Sequence, residues 1–203
     1  MSINLQKGQK IDLTKGGGTG LKRVMVGLGW DEAEQPRQSK GFLASLFGGG
    51  SKVQNIDCDA SAILCNEKGK KQDLVYYGQL KSMDGSVVHQ GDNLTGEGDG
   101  DDEQIMVDIP RIPHSIAKIV FAVNIYEATD RNQHFGMIKN AFIRLVDMEK
   151  NVELCRFNLS ENYYGMQGMI VGEIYRHGGE WKFNAIGQPV QKASHVDDIT
   201  ANY

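Results

Sequence analysis

Apolar residues in this chain arrive in short runs of four to nine, most of them bounded on at least one side by Gly, Asp, Asn or Pro. The runs are Arg23–Leu28, Ala60–Leu64, Leu74–Tyr77, Gln104–Ile109, Lys118–Tyr126, Ala141–Val146 and Val152–Leu159. Rich in Val, Ile and Tyr and bounded by turn residues, they read as strands. Gly172–Arg176 and Trp181–Ile186 flank His177-Gly178-Gly179-Glu180, a β-hairpin with glycines where the turn needs positive φ. Eight or more strands at this spacing, with little helical periodicity, predict an all-β sandwich of two mainly antiparallel sheets. One short helix is expected around residues 163–170. No apolar run approaches the roughly twenty residues of a spanning helix. One domain over residues 1–187 is expected, followed by a divergent tail, 188–203, that loses strand character and frays.

The 203 residues carry 22 bases and 26 acids, a net charge of −4. Six of those acids, and no base, fall in Asp92–Glu103 (DNLTGEGDGDDE), so the other residues sum to +2. That distribution excludes a basic nucleic-acid footprint. Hard divalent cations take about six to eight oxygen ligands from carboxylates, carbonyls and water. The segment offers Asp92, Glu97, Asp99, Asp101, Asp102 and Glu103, with Asn93 and Thr95 as neutral oxygens. Gly91, Gly96, Gly98 and Gly100 let the backbone fold back so that carbonyls point inward. A solubility tract would not need so shaped a backbone. The spacing is not that of an EF-hand, because neither Asn93 nor Asp92 as position one gives the full ligand series, and the flanks read as strands.

A second acidic pair, Asp57-Cys58-Asp59, opens a strand, and residues two apart on a strand face one side. Together the two segments give eight carboxylates, enough for two ions. Asp57-x-Asp59-x-Ser61 also resembles the aspartyl nucleophile motif of haloacid-dehalogenase-type phosphatases, a Mg²⁺ chemistry. That motif belongs to an α/β fold whose helices are missing here. The chain has no G-x-S-x-G, H-E-x-x-H or P-loop. Its five histidines are scattered, as surface or internally satisfied groups, so no enzyme is expected. Three cysteines without C-x-x-C argue against both disulfides and a thiolate zinc site. They read as free thiols, and the absence of a leading apolar segment predicts a cytoplasmic protein.

Residues 32–54 hold Phe42, Leu43, Leu46 and Phe47 on a glycine-rich tether, read as an inserted surface loop. If these side chains touched lipid, the protein would be a calcium-dependent peripheral membrane or partner-docking module like a C2 domain.

Gly27-Leu28-Gly29-Trp30-Asp31, Asp57-Cys58-Asp59-Ala60-Ser61 and above all Gly91–Glu103 resemble the TerD family of tellurium-resistance and general stress proteins. Phe135-Gly136, Ala141–Val146 and Gly172–Phe183 fit the same pattern. The resemblance implies a β-sandwich that binds about two Ca²⁺ ions between loops. It implies a non-enzymatic bacterial stress role linked to tellurite and oxidant resistance, with other Ter proteins as partners, including a TerC-like membrane protein. Matched to the family motif, the metal ligands are Asp57, Asp59, Asp92, Asn93, Thr95, Gly98 (through its carbonyl), Asp101, Asp102 and Glu103. Asp31, Glu97 and Asp99 rank below them.

Overall fold

A computed structural model describes residues 2–14, 20–32, 55–91, 100–159, 161, 163–201 and 203. The chain is a two-layer β-sandwich, as the strand spacing predicted, with six strands in each sheet. The first sheet takes β1 (Ile3–Leu5), β3 (Arg23–Glu32), β6 (Val87–His89), β7 (Glu103–Asp108), β9 (Ile138–Asp147) and β10 (Val152–Asn158), in the order β1-β10-β9-β3-β7-β6. The second takes β2 (Lys10–Asp12), β4 (Cys58–Cys65), β5 (Lys71–Val75), β8 (Lys118–Ile125), β11 (Gly168–His177) and β12 (Glu180–Val190), in the order β2-β12-β11-β8-β4-β5. All pairings are antiparallel except β1 with β10.

Alternation decides which side chains meet between the layers. On β3 the core residues are Val24, Val26, Leu28 and Trp30, and on β8 they are Ile119, Phe121, Val123 and Ile125. Met25, Gly27, Gly29 and Asp31 therefore lie on the outer face of the first sheet. The β11–β12 hairpin turns where expected, with His177 opposite Glu180 and both Gly178 and Gly179 at positive φ.

The expected helix at residues 163–170 does not form. β11 starts at Gly168 and lies hydrogen-bonded between β8 and β12, so the sheet claims those residues. The two α-helices among the described residues are α1 (Ala128–Arg131) and α2 (Val196–Thr200). β5 runs earlier than the Leu74–Tyr77 reading, because Tyr76 turns back to bridge Gln79. Three strands of three residues, β1, β2 and β6, gave no sequence signal of their own.

The tail does not fray. β12 continues to Val190, and α2 then lies over the outer face of the second sheet. There Ala193 and Ile199 join Ile63, Cys65, Val120, Ala122 and Ile170 in a second buried cluster, with Val190 and Tyr203 at its margin. The need for this cover is visible in β4 and β8, where apolar residues point to both faces and nearly every residue is buried. No described helix is long and apolar enough to cross a membrane.

Ile199 is fully buried in that cluster. Ile199→Ala should therefore cost about 2–4 kcal/mol, the range for a buried aliphatic truncation. Urea unfolding of the variant checks it, and an unchanged midpoint would mean that the tail is not part of the folded unit.

Candidate metal centre

At the end of the sandwich where β4 and β7 begin and β8 ends, the chain brings acidic residues from several segments together. β5 covers the free edge of β4 only as far as Ala62, which leaves the Ala60 amide without a strand partner on that side. Glu103, the first residue of β7, fills the gap. Its side chain is fully buried, and its Oε2 accepts from the Ala60 amide of the other sheet. The His89 Nε2 stands 3.4 Å from the same oxygen without hydrogen-bonding to it, with its ring equally buried. Gly91 donates its amide to His89 Nδ1 at 3.2 Å. Gly91, His89, Glu103 and the Ala60 amide thus follow one another from the acidic segment to β4.

Asp102 continues the β3–β7 ladder, donating its amide to the Leu28 carbonyl at 2.8 Å. Its carboxylate accepts from the Trp30 amide at 2.8 Å. Burial raises the Asp102 carboxyl above its usual range; the Trp30 bond opposes this, and the charges of Asp31 and Asp101 add to it.

Asp101 points elsewhere. It lies across the outer face of the first sheet, where Arg144 of β9 grips it at both oxygens, Nε to Oδ1 at 2.7 Å and Nη2 to Oδ2 at 2.9 Å. The side chain is fully buried there because β3 has no side chain beneath it: a Cβ on Gly27 would stand 2.3 Å from the carboxylate. Asp57 and Asp59 stand at the start of β4. Asp59 faces Asn124 of β8 across the strand pair, with Asn124 Nδ2 3.4 Å from its Oδ2. The Asn124 Oδ1 is buried and has no hydrogen-bond partner among the described residues. Asp57 lies 3.7 Å from Arg131 Nη1.

Cys58 reports how closely four of these acids converge. Burial pushes its thiol well above the ordinary range, and the charges of Asp59, Glu103, Asp57 and Asp102, in that order, push it further. Burial also raises Cys65 and takes Cys155 up to about 12. All three cysteines are free and buried, and none is a nucleophile in this state.

Five of the nine ligands expected from sequence are therefore described. Asp57 and Asp59 flank Cys58 at the start of β4, Glu103 takes the Ala60 amide, Asp102 takes the Trp30 amide, and Asp101 turns to Arg144. Asp92, Asn93, Thr95 and Gly98, together with Glu97 and Asp99, lie outside the described residues, as do Phe42, Leu43, Leu46 and Phe47. Among the described residues no three His, Cys, Asp or Glu side chains form a group that could hold a metal ion. The donor chemistry at this end is nonetheless that of a hard cation: oxygen donors, partial burial, and a carboxyl raised by burial and then by its acidic neighbours. Sequence reading missed His89, Asn124, Arg131 and Arg144. The position of His89 two residues before Gly91 was the one available cue.

Comparison with known proteins gives a consistent picture. A family model described as the TerD domain matches residues 1–203. The stress response protein SCP2 of Bacillus subtilis (strain 168) is 51% identical over 206 residues, covering 100% of each chain. The tellurium resistance protein TerD of Serratia marcescens is 43% identical over 191 residues, covering 93% of this chain and 91% of that one. The crystal structure of a Streptomyces coelicolor A3(2) homologue of telluride resistance protein (TerD) has a similar fold, with a TM-score of 0.62 at 22% identity over 85% of this chain and 92% of that one.

Gly27→Ala should expel Asp101 from Arg144, because the new methyl would occupy the carboxylate's place. Overpacking of this kind costs about 1–3 kcal/mol. Chemical denaturation of the variant measures it, and a wild-type midpoint would show that the Asp101–Arg144 pair does not depend on the bare strand.

Proposed function

This chain belongs to the TerD family of tellurium-resistance and general stress proteins, and from that premise we propose that it is a calcium-binding stress-response protein that acts by binding rather than by turnover. The observation that carries the reading is the charge balance at the acidic end. Among the described residues Asp31, Asp57, Asp59, Asp101, Asp102 and Glu103 share this end with two guanidinium groups, Arg131 and Arg144, and the Asp102 carboxyl is raised first by burial and then by the charges of Asp31 and Asp101. Asp57, Asp59 and Asp102 would hold calcium together with Asp92, Asn93, Thr95 and the Gly98 carbonyl. Glu103 and Asp101 would anchor the acidic segment at its C-terminal end, one between the sheets and one on Arg144. Eight carboxylates in two segments suit about two ions. Bound calcium would supply positive charge that turns mutual repulsion into a cross-link between loops.

Binding without turnover suits the thiols. Cys58, Cys65 and Cys155 are held protonated, so capture of tellurite or oxidant through them would lack a nucleophile. Three free cysteines also suit a cytoplasmic setting, where thiols stay reduced. In this reading the calcium-ordered surface is what partners, including other Ter proteins, would recognise.

Thermal melts in EDTA and in excess Ca²⁺ or Mg²⁺ test the reading. A ligand at 100 times its Kd stabilises by about 2.7 kcal/mol, a shift of several degrees for a chain this size. Calcium should give that shift and magnesium little of it; no shift with either ion would overturn the proposal.

Asp102→Asn separates stability from binding. A carboxyl raised in the folded state costs stability above its folded pKa and nothing below its unfolded one. The cation-free protein should therefore gain stability as pH falls through that window. The asparagine, which can still accept from Trp30, should raise Tm in EDTA at neutral pH while shrinking the calcium shift. A lower Tm in EDTA would contradict the charge argument.

A further inference from the structure

Arg131 closes α1, one helical turn after Glu127. Its Nη2 and Nε both reach Glu127 Oε2, at 3.0 and 3.2 Å, and its guanidinium lies 5.0 Å from the centre of the Tyr126 ring. From that perch Nη1 faces Asp57 at 3.7 Å, and both side chains are mostly buried, 15% and 13% exposed. The perch is built with care. Glu127 and Asn132, at the two ends of α1, both adopt the left-handed conformation that non-glycine residues rarely take. The turn is tied to the tail as well, through Glu127 N to the Ser194 carbonyl at 3.1 Å and Thr129 N to Ser194 Oγ at 3.0 Å.

The two arginines of the acidic end hold their carboxylates differently. Arg144 makes two short bonds that use both oxygens of Asp101. Arg131 lies beyond hydrogen-bond distance of Asp57 and makes its close contacts with Glu127 instead. A contact of that kind is Coulombic and exchangeable. Beside it, the buried Asn124 Oδ1 has no partner among the described residues, although the same carboxamide touches Asp59. A buried carboxamide oxygen is costly without a partner, and a cation seated by Asp57 and Asp59 would supply one.

We propose that Arg131 is a built-in counter-ion for Asp57, which neutralises the acidic end in the cation-free protein, competes with an entering cation and so sets the affinity of the site. The inference rests on the calcium reading above and assigns Arg131 a role within it. When a cation arrives, Arg131 keeps Glu127 and Tyr126 and yields Asp57. Asn124 turns its oxygen from a buried vacancy in hydrogen bonding into a contact with the same ion.

This assignment predicts effects of opposite sign. Removing the positive charge should weaken the cation-free fold, because Asp57 and Glu127 lose the Arg131 guanidinium. It should also strengthen calcium binding, because a repulsive charge next to the ion is gone. Isothermal titration with Ca²⁺ on the full chain should show Arg131→Gln binding roughly tenfold tighter than wild type, given two charges against one at partly screened range. Its Tm in EDTA should be lower. Arg131→Lys, which keeps the charge, should stay close to wild-type affinity. A purely structural arginine would lower stability and affinity together, so equal or weaker binding by Arg131→Gln, with wild type still binding, overturns the proposal and leaves the calcium reading intact. No calcium heat from any of the three proteins overturns both.

If Arg131→Gln does not fold, the arginine Nε–H resonances of the wild type decide, with Arg131→Lys giving the assignment. Saturating calcium should move the Arg131 signal and leave that of Arg144 in place. An Arg131 signal that stays fixed overturns the proposal.

Discussion

The two sheets are joined at their acidic end by the carboxylate of Glu103. It enters β7 in one sheet and takes the Ala60 amide at the bare edge of the other. A charge buried between apolar layers is sustained by N–H groups aimed at it; here the Ala60 amide donates, and the buried His89 ring stands beside the same oxygen. That demand fixes much around it. β5 must stop short on β4, His89 must turn inward from β6, and Gly91 must orient the imidazole through Nδ1. The acidic segment is therefore held at both ends, by Gly91 on His89 and by the ladder from Asp102 to Leu28.

From this anchor successive residues diverge in a way that a strand dictates. Asp101, Asp102 and Glu103 stand next to one another in sequence, yet one lies on the outer face, one caps the Trp30 amide and one enters the core. The period of two along β3 explains the first, since Gly27 leaves an outer-face hollow that Arg144 closes from β9. The result is a charge ledger in which one arginine is a fixed partner and another an exchangeable one. A divalent cation would add positive charge to that ledger.

The sandwich was legible because its long strands declare themselves: Arg23–Glu32, Lys118–Ile125 and the Gly178-Gly179 hairpin need no tertiary context to be read. Edge strands of three residues, such as Val87–His89, carry too little pattern to stand out, and they form because a neighbour offers a ladder. The tail was misread because Val196–Thr200 is short and two of its five residues are acidic. What holds it down is the apolar outer face of β4 and β8, many residues away. At the acidic end, type and spacing singled out Asp57, Asp59 and Asp101–Glu103 as acids of two segments. Arg131, Arg144, Asn124 and His89 were not singled out, because an arginine on a strand or after a turn becomes a counter-ion only through the fold that faces it towards an acid.

Backbone amide shifts during a calcium titration test the central claim most directly, since each amide reports its own surroundings. The account predicts that the signals of Trp30, Ala60, Gly91 and Asp102 move and saturate together, while those of the opposite end, at Asn66–Lys70 and Gly178-Gly179, stay in place. A spectrum that does not respond to millimolar calcium, or one that responds only at the far end, would contradict it.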